Sequence, residues 1–512
     1  MIELLTAAQM RAIERSAMAS GAATGRDLME RAGQGVVDAI FEIWPEFRKA
    51  PQRAVIFCGP GNNGGDGFVI ARRLREQHWD INLFFCGDVG KLPPDARFNH
   101  DRWVDLGPVQ PWDGAAVAAA EADLYIDALF GAGLTRALGT DLMEPLTALY
   151  TSGRTIGRLV AVDAPSGLCM DSGRVLQSDY GAVYASLTVS FHRPRPGHFL
   201  EDGPFHCGTL RMVDIGLSQS GPDPALTLVD APVDVDLEKL PGAHKYDHGH
   251  ALILSGGPGK GGAARLAARG ALRIGAGLVT LGCPPEAQTE HAAQLNAVMV
   301  LSIADAPALQ HTLTDGRLNA LCLGPGLGVG ESTVALVDAA LAADRATVLD
   351  ADALTSFAED PGALFSRLHS GCLLTPHLGE FARLFPDIAA QFADPATSGP
   401  AYSRVDATRA AARRAGCTVL LKGDSTVIAE PGGGAAIHSA SRDRAAPWLA
   451  TAGSGDVLAG FATGLMARGL KPFEAAEIAA WLHVECALTF GPGLIAEDLP
   501  EQLPKVFRAL DL

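Results

Sequence analysis

Short apolar runs that end in Gly, Asp or Pro alternate along most of the chain with amphipathic stretches rich in Ala and Arg. Apolar runs without polar alternation are typical of strands buried on both faces of a parallel sheet, and the intervening stretches, such as 65–77, have the length of covering helices. The pattern therefore predicts an α/β architecture with parallel sheets. The predicted strands are 54–59, 81–87, 124–131, 158–165 and 187–192 in the first half, and 251–257, 278–284, 320–326, 346–354, 371–377 and 418–423 in the second.

One stretch near the middle of the chain interrupts this alternation. Residues 217–242 are rich in Pro and in acidic side chains and have no sustained helical period, which indicates a linker with room for one short strand. We therefore expect a first domain over 1–217, a linker over 218–241 and a second domain over 242–512. The irregular stretch 385–402 predicts a surface loop or insertion within the second domain.

The amino-acid composition limits which binding partners and which cellular compartment we expect. The 512 residues include 41 Lys and Arg against 58 Asp and Glu, a formal net charge of −17, so we expect neither nucleic acid nor a membrane surface as a partner. The nine Cys are dispersed without a C-x-x-C pair, which indicates reduced thiols and a cytoplasmic location. The N-terminal stretch predicts an amphipathic helix capped by Thr6 rather than a signal peptide. The 58 Gly exceed the usual share and indicate loops that approach a ligand closely.

The densest motif is the glycine-rich loop CGPGNNGGDG (58–67), between a predicted strand and a predicted helix. Such a loop presents backbone N–H groups to a phosphate or a carbonyl-rich cofactor, and its two Asn and one Asp exceed what a plain strand-to-helix turn requires. A literal G-x-G-x-x-G match is present at 59–64. The acidic residue expected to bind a ribose is represented only by Asp88, which lies too far along the chain to favour redox use of NAD.

Polar residues also follow two later predicted strands of the first half. Asp127 ends one strand, and Asp163 and Ser166 follow another. The carboxyl ends of parallel strands share one edge of a sheet, so these residues and Asn63 could converge there. Their oxygens are hard ligands that suit a cation, although a single strand-end Asp more often caps a helix or forms a turn.

The second half carries a different set of motifs. Lys260 in its glycine-rich run is followed by Gly261, whereas a P-loop requires Ser or Thr there, so a P-loop ATPase is rejected. The glycines at 453–455 before an apolar helix would form an anion hole for a nucleotide phosphate. Asp456 would then stand where a hydroxyl must be deprotonated, unless it only caps that helix. Lys422 could cradle the nucleotide or simply be solvated.

Three further polar residues of the second half allow two interpretations each. His377, taken alone, is more typical of a hydrogen-bonded loop histidine than of a ligand. Asp350 and Asp352 are either paired catalytic carboxylates or capping residues, and we favour capping for at least one of them.

The motifs NNGGDGFVIAR, DALFGAG and VDAPSG, with LTAAQMRAIE and LMERAG before them, resemble the YjeF-type NAD(P)H-hydrate epimerase domain over about 1–216. The resemblance implies interconversion of the R and S hydrates at C6, with Asp163 near the reacting carbon. It implies a K⁺ site formed by Asn63, Asp127 and Ser166. The residues implied to hold the hydrated nucleotide are Asn62, Asn63, Gly64, Gly65, Asp66, Gly131, Ala132, Gly133, Leu134, Thr135, Arg136 and Ala137.

The second-half motifs SGGPGKGGAARLAARG, GPGLG, VLDADAL, TPHLGE, LLKGDST and TAGSGDVLAG resemble the ribokinase-like ADP/ATP-dependent NAD(P)H-hydrate dehydratase domain over roughly 240–512. The resemblance implies ADP with Mg²⁺ as the phosphate donor. The residues implied to contact the hydrate are Ala263, Gly326, His377 and Asp456, with the position of Ala263 open by one residue. The residues implied to contact ADP or AMP are Lys422, Gly423, Asp424, Ser425, Thr426 and Gly455.

Taken together, the resemblances imply a Rossmann-like three-layer sandwich followed by a ribokinase-like α/β domain, in a homo-oligomeric enzyme that repairs NAD(P)H. The first domain would epimerise the hydrates, and the second would dehydrate the S epimer with ADP, giving AMP and phosphate. One alternative is a small-alcohol kinase with an inert nucleotide-binding first domain. A second is a nucleotide-binding scaffold without turnover. An oxidoreductase is the weakest, because the first glycine loop lacks a well-placed ribose carboxylate.

Overall fold

The computed structural model describes residues 2–177, 180–218, 225–232, 237–239 and 241–512, which form two compact units. The N-terminal unit comprises Glu3–Ala225 together with Asp394–Ser403. The C-terminal unit comprises Leu226–Ala393 and Arg404–Leu512 together with the extreme N-terminus. Among the described residues, no helix is long and apolar enough to cross a membrane.

The strands of the first part of the chain are mostly continuous apolar runs, as expected for a sheet covered on both faces. They are β1 (Ile2–Leu4), β2 (Arg53–Cys58), β3 (Asp80–Phe85), β4 (Gln110–Pro111), β5 (Leu124–Ala128), β6 (Leu159–Val162), β7 (Leu187–Phe191) and β8 (Thr209–Val213). The N-terminal unit holds a parallel sheet in the order β4-β3-β2-β5-β6-β7-β8. The order reverses between β2 and β5, and this is where an open α/β sheet leaves a crevice at its carboxyl edge.

Helices cover both faces of this sheet. They are α1 (Ala7–Ala19), α2 (Gly25–Ile43), α3 (Asn62–Glu76), α4 (Pro94–Val104), α5 (Gly114–Ala119), α6 (Thr140–Thr151) and α7 (Gly203–Cys207), with 3₁₀ turns at Pro45–Arg48, Val89–Lys91 and Pro196–His198. The predicted cap of α1 is confirmed, because the Thr6 hydroxyl accepts from the Gln9 N–H at 3.2 Å and the Gln9 side chain accepts from the Thr6 N–H at 2.8 Å. This capping box satisfies two backbone N–H groups at the start of α1.

The glycines after β2 serve close packing more than turn geometry. Helix α3 begins at Asn62, three residues before the predicted start, so Gly64 and Gly67 lie inside its first two turns. A Cβ at Gly64 would lie 1.9 Å from the Gly59 carbonyl oxygen, and one at Gly67 would lie 2.6 Å from the Cys58 sulfur. Glycine is therefore required because the helix lies against the end of its own strand.

The C-terminal unit has a longer, mixed sheet. Its remaining strands are β9 (Leu226–Leu228), β10 (His250–Leu254), β11 (Leu278–Cys283), β12 (Met299–Ser302), β13 (Ala320–Leu323), β14 (Ala346–Leu349), β15 (Cys372–Leu374), β16 (Thr418–Leu421), β17 (Ser425–Ala429) and β18 (Ala435–Ser439). The order is β1-β9-β18-β17-β16-β15-β14-β13-β10-β11-β12. Strands β10 to β16 pair in parallel, whereas β16, β17 and β18 form an antiparallel meander. The order reverses between β10 and β13, which places a second crevice there.

The helices of the C-terminal unit are rich in Ala and Leu, and α17 and α18 are largely buried. They are α8 (Gly262–Arg273), α9 (Gln288–Gln294), α10 (Ala306–Thr312), α11 (Glu331–Leu341), α12 (Ala351–Thr355), α13 (Pro361–Phe365), α14 (Leu378–Leu384), α15 (Pro386–Ala393), α16 (Arg404–Ala415), α17 (Ser454–Ala467), α18 (Pro472–Phe490) and α19 (Asp498–Ala509), with 3₁₀ turns at Lys245–His248, Pro285–Ala287, Arg442–Arg444 and Pro447–Leu449.

The α/β fold class and all eleven predicted strands are confirmed. Each strand ends before its predicted run does, because the last residues of the run form the loops at the carboxyl edge. The predicted linker contains β9 and is otherwise only partly described, since 219–224, 233–236 and 240 lie outside the described residues. The domain limits 1–217, 218–241 and 242–512 remain predictions.

The irregular stretch 385–402 has a different structure from the predicted loop. Its first half forms helix α15. The following residues, Asp394–Ser403, group with the N-terminal unit rather than with the sequence around them. Ala396 and Ala401 are buried there in the apolar cluster that contains Leu134 and Leu138.

Candidate active sites

A cleft of about 560 Å³ opens where the strand order of the N-terminal unit reverses. The loops after β2 and β5 form two of its walls, and α1 contributes Arg11 and Glu14. Of the residues predicted to hold the nucleotide, those that line the cleft are Asn62, Asn63, Asp66, Gly131, Ala132, Gly133, Leu134, Thr135 and Arg136. Gly64 and Gly65 are buried within α3, and Ala137 lies just beyond the lining residues.

Asp163 lines this cleft, immediately after β6. Its carboxylate accepts hydrogen bonds from the Ala132 N–H at 2.7 Å and the Ser190 hydroxyl at 3.0 Å, and the Arg195 guanidinium lies 3.8 Å away. Its backbone has φ +63°, a left-handed conformation that Asp tolerates better than most residues. A strained backbone held by several partners at the edge of a sheet is a recurrent feature of active sites.

Asn63 connects Asp163 to the glycine-rich loop after β5. Oriented to satisfy both neighbours, its amide donates to the Val162 carbonyl at 3.1 Å and accepts from the Gly131 N–H at 3.3 Å. A Cβ at Gly131 would lie 2.8 Å from the Asp163 carboxylate, so glycine is required for this approach. Three separate sequence motifs therefore converge on one point of the cleft, as predicted from the shared edge of the strands.

Asp127 and Ser166 form a second, fully buried pair behind the cleft. Asp127 accepts from the Ser166 hydroxyl at 2.7 Å, the Ser166 N–H at 2.8 Å and the Leu129 N–H at 3.2 Å. Burial raises the pKa of Asp127 to about 6, and these hydrogen bonds oppose that rise. Within the described residues, no basic side chain forms an ion pair with Asp127. Asn63 bonds Val162 and Gly131 on the adjoining wall, rather than this pair.

Two carboxylates join Asp163 in the cleft, one of them missed by the sequence analysis. Burial raises the pKa of Glu14, with a further contribution from Asp163, while Arg195 and Arg11 oppose it. Burial, Asp163 and Glu14 also raise the pKa of Asp66 well above its usual range. The available signal was a charged residue on the face of α1 that otherwise carries the buried Ala7, Met10 and Ala17.

The C-terminal unit has a charged cluster at the carboxyl ends of β14, β15 and β16. The Lys422 ammonium lies 2.7 Å from the buried Asp350 carboxylate and 4.0 Å from Glu380, and the Thr375 hydroxyl donates to Asp350 at 2.9 Å. Burial lowers the pKa of Lys422, whereas the neighbouring carboxylates of Asp350 and Glu380 raise it. The net shift of the pKa is upward, so the side chain keeps its positive charge. Asp350 occupies the N-cap position of α12 without a side-chain cap, so the capping interpretation is wrong for it.

Asp352 does not cap a helix either. It lies inside α12, and its carboxylate accepts from the Gly328 N–H at 2.8 Å, which holds the GPGLG loop after β13. Gly326 in that loop has φ +64°, and a Cβ there would lie 2.5 Å from the Lys260 carbonyl oxygen and 3.4 Å from the Ala263 Cβ. The predicted hydrate-contacting residues Ala263 and Gly326 therefore lie side by side at the second crevice.

Asp456 lies in the first turn of α17, as its third residue. The N-cap is Gly453, whose φ of +91° favours glycine, so Asp456 is not the cap that the alternative interpretation required. Burial raises the pKa of Asp456 to about 6, with contributions from Asp350, and Lys422 opposes the shift. A Cβ at Gly455 would lie 3.4 Å from the Lys422 nitrogen, so the helix N-terminus and the lysine are adjacent.

A second cleft, of about 510 Å³, lies between these groups and the meander. The predicted nucleotide-binding residues that line it are Lys422, Gly423, Asp424, Thr426 and Gly455. Ser425 is buried at the start of β17 and does not line the cleft. N–H groups of a helix N-terminus beside a charged lysine form an environment suited to phosphate.

His377 is a capping residue with an exposed ring. Its Nδ1 accepts from the Gly379 N–H at 2.9 Å, and its Nε2 lies 3.4 Å from Glu380 at the start of α14. This is the hydrogen-bonded loop histidine that the sequence alone favoured, and its contact with a hydrate remains a prediction.

Comparison with known proteins gives matches to both units. The family model described as NAD(P)H-hydrate dehydratase matches residues 251–505, and the one described as YjeF-related protein N-terminus matches 25–197. A bifunctional NAD(P)H-hydrate repair enzyme of Moorella thermoacetica is 35% identical over 535 aligned residues, which cover 99% of this chain and 97% of the relative.

Two further similarities each concern one unit. An NAD(P)H-hydrate epimerase of Rhodobacter capsulatus is 49% identical over 201 residues, covering 39% of this chain and 92% of the relative. The crystal structure of an ADP/ATP-dependent NAD(P)H-hydrate dehydratase of Bacillus subtilis, co-crystallised with ATP and Mg²⁺, is 28% identical with a TM-score of 0.44, covering 54% of this chain and 95% of that one.

Proposed function

Because the chain belongs to the family of bifunctional NAD(P)H-hydrate repair enzymes, we propose that the N-terminal cleft epimerises the R and S hydrates of NADH and NADPH and that the C-terminal cleft dehydrates the S epimer. The observation that carries this assignment is that each unit holds a partly buried carboxylate at the carboxyl edge of its sheet. Asp163 lines the cleft where the strand order of the N-terminal unit reverses, and Asp456 lies at the start of α17 near Lys422 and Asp350. The alternative of a small-alcohol kinase with an inert first domain is not favoured, since full-length relatives are named as bifunctional repair enzymes.

Epimerisation requires two proton transfers at C6 of the hydrate. One group protonates the leaving hydroxyl, the C6–O bond breaks as the ring nitrogen lone pair forms an N1=C6 iminium, and water leaves. Water then adds to the other face of C6, and a second group accepts its proton. Asp163 and Glu14 approach the cleft from a strand end and from α1, and burial together with the charge of Asp163 raises the pKa of Glu14, which favours a proton on Glu14. We assign them these two roles.

The buried pair Asp127 and Ser166 fits a K⁺ site. Asp127 is buried without a basic partner among the described residues, so a bound cation would stabilise its charged form, and Ser166 contributes an oxygen of the kind that an alkali cation prefers. Bound K⁺ would neutralise Asp127 and hold the start of the loop after β5. Asn63 would be a ligand only if its amide turned away from Gly131, so Asp127 and Ser166 are the stronger assignments.

This assignment predicts a stability change that can be measured without substrate. K⁺ should raise the thermal unfolding temperature of the full chain more than equal concentrations of tetramethylammonium do, because only the smaller cation can reach a buried carboxylate. Asp127→Asn should remove this difference; its one amide oxygen can keep the hydrogen bonds from the Ser166 hydroxyl and the Leu129 N–H, whereas the bond from the Ser166 N–H is lost. Asp305→Asn, which changes an exposed capping Asp of α10, serves as the matched control. An equal K⁺ effect in the native chain and in Asp127→Asn would contradict the site.

Dehydration would proceed by phosphorylation followed by elimination. Asp456 accepts the proton of the C6 hydroxyl as its oxygen attacks the β-phosphorus of ADP, and AMP leaves. The C6–O bond then breaks as the departing phosphate accepts a proton from C5, which forms the C5=C6 double bond of NAD(P)H and releases phosphate. The N–H groups at the start of α17 and the Lys422 ammonium lie where phosphate charge develops. Phosphorylation is needed because hydroxide is a poor leaving group.

The nucleotide and its metal follow from the resemblance of the second-half motifs. ADP is proposed as the donor, and Mg²⁺ would arrive with it, held mainly by phosphate oxygens and water. The Asp350 and Glu380 carboxylates, which lie near Lys422, are suited to accept hydrogen bonds from water bound to the metal. None of the nine cysteines, all within the described residues, forms a disulfide, which supports a cytoplasmic location.

The test is the recovery of NAD(P)H from an equal mixture of R and S hydrates, followed by absorbance of the reduced nicotinamide. With ADP, Mg²⁺ and K⁺ present, recovery should pass half of the material and approach completion. Recovery that stops at half would contradict the epimerase assignment, and no recovery would contradict both. A phosphorylated product that persists would support the kinase alternative.

A further inference from the structure

Ten residues of the second half of the sequence are built into the N-terminal unit. We name Asp394–Ser403 the bracing segment; it leaves the sequence of the C-terminal unit after α15 and returns to it at α16. The Gly399 N–H donates to the Thr135 carbonyl at 3.0 Å, and Ser398 forms an antiparallel bridge with Arg136. Thr135 and Arg136 line the epimerase cleft, so the segment pairs directly with the loop proposed to hold the hydrate.

The segment is anchored behind that loop by burial and by further hydrogen bonds. Ala396 and Ala401 lie in one apolar cluster with Leu134 and Leu138, two buried residues of the loop after β5. The Gln177 N–H donates to the Ala396 carbonyl at 2.8 Å, and the Ala401 N–H lies 3.4 Å from the Cys169 sulfur. The backbone groups of an exposed loop can hydrogen-bond to water and do not require protein partners such as these.

Gly399 lies directly against the loop. A Cβ there would lie 2.6 Å from the Leu134 carbonyl oxygen, whereas the φ of Gly399 is not in the left-handed region. Glycine is therefore needed for contact with the loop rather than for its own backbone conformation. The Gly131 and Ala132 N–H groups at the start of the loop are held by Asn63 and Asp163, so the bracing segment supports the later residues 134–136.

We propose that the bracing segment is a positioning element for the epimerase reaction, which holds residues 134–136 in the conformation that binds the nucleotide part of the hydrate. This inference rests on the proposed function of the N-terminal cleft. None of its residues reaches the reacting carbon in this assignment, so its effect should fall on binding. The segment would act through Leu134, Thr135 and Arg136, and the proton transfers at Asp163 would be unaffected once substrate is bound.

The experiment compares Gly399→Ala with Gly316→Ala in the full chain. Gly316 is a matched control, because a Cβ there meets nothing within 4 Å and its φ is not left-handed. In Gly399→Ala, the KM for the R hydrate in the epimerase reaction should rise about tenfold with little change in kcat, since small displacements of positioning groups have effects of this order. Dehydration of purified S hydrate measures the other cleft in the same sample and should stay at the native rate.

A second readout is independent of the substrate. Trypsin cleavage after the exposed Arg136 should be severalfold faster in Gly399→Ala than in Gly316→Ala, because an unbraced loop opens more often. Ala401→Asp, which places a charge in the apolar anchor, should reproduce both effects if Gly399→Ala does not fold. Native KM and native cleavage rates in both variants would overturn the proposal. If the native chain consumes only half of a hydrate mixture, the epimerase assignment is contradicted. Faster trypsin cleavage of the variants in that case would still show that the bracing segment holds the loop.

Discussion

Asp456→Asn should abolish the ADP-dependent recovery of NAD(P)H while leaving conversion of the R hydrate into the S hydrate intact. The amide has nearly the same shape as the carboxylate but cannot accept the proton of the C6 hydroxyl, and loss of a general base typically costs about 10²- to 10⁴-fold in rate. The measurement is kcat for purified S hydrate with ADP. Asp305→Asn is the control for a change of charge at a helix start, because Asn caps about as well as Asp.

The same carboxylate predicts the acid limb of the dehydratase pH profile. Burial and the neighbouring Asp350 raise the pKa of Asp456 to about 6. A general base works only when deprotonated, so kcat/KM should be level above this pKa and fall about tenfold per pH unit below it. Asp456→Asn should flatten that limb in its residual activity. If the residual kcat/KM of Asp456→Asn still falls below the same pH, another group causes this fall, and the role of Asp456 is contradicted.

Asp163→Asn should stop recovery from a mixture of hydrates at half of the material. The S epimer would still be dehydrated, whereas the R epimer would remain, because the amide cannot exchange a proton with the hydroxyl at C6. A loss of about 10²- to 10⁴-fold in epimerase kcat is expected for a proton-transfer group. The fold should persist, since Asn also tolerates the left-handed φ of +63° and its amide oxygen can still accept from the Ala132 N–H.

Mixing the two variants supplies the control for this result. Asp163→Asn retains the dehydratase cleft and Asp456→Asn retains the epimerase cleft, so together they should recover nearly all of the material, with free S hydrate passing between them. Full recovery by Asp163→Asn alone would show that the carboxylate is dispensable. Failure of the mixture, with each variant folded, would contradict the division of the two reactions between the units.

The strands and the catalytic edge were predictable because their signals are local. A strand buried on both faces is a continuous apolar run, and the residue that ends it marks the edge where ligands bind. Asp127, Asp163 and Ser166 could thus be placed near one another from the sequence. The edge strands β4 and β12 were missed because they are short and partly exposed and carry no such run.

Glu14 and the bracing segment could not be predicted in the same way. Glu14 lies eight residues after Thr6 on an ordinary amphipathic helix, and only the packing of α1 brings it into the cleft. The bracing segment has the Pro, Gly and Ser content of a surface loop, so its local sequence carries no information about the unit against which it packs. Both features depend on contacts between residues more than 100 positions apart in the sequence.

The bracing segment also changes how inherited variants of this protein would be interpreted. A domain map drawn along the sequence assigns a missense change at Gly399 or Ala401 to the dehydratase, because dehydratase sequence lies on both sides of it. We expect such an allele to behave in cells as an epimerase allele, accumulating the R hydrate while the S hydrate is still cleared. Such an allele should fail to complement an Asp163 allele and should complement an Asp456 allele. The domain map would predict the opposite result, because it assigns the allele to the dehydratase.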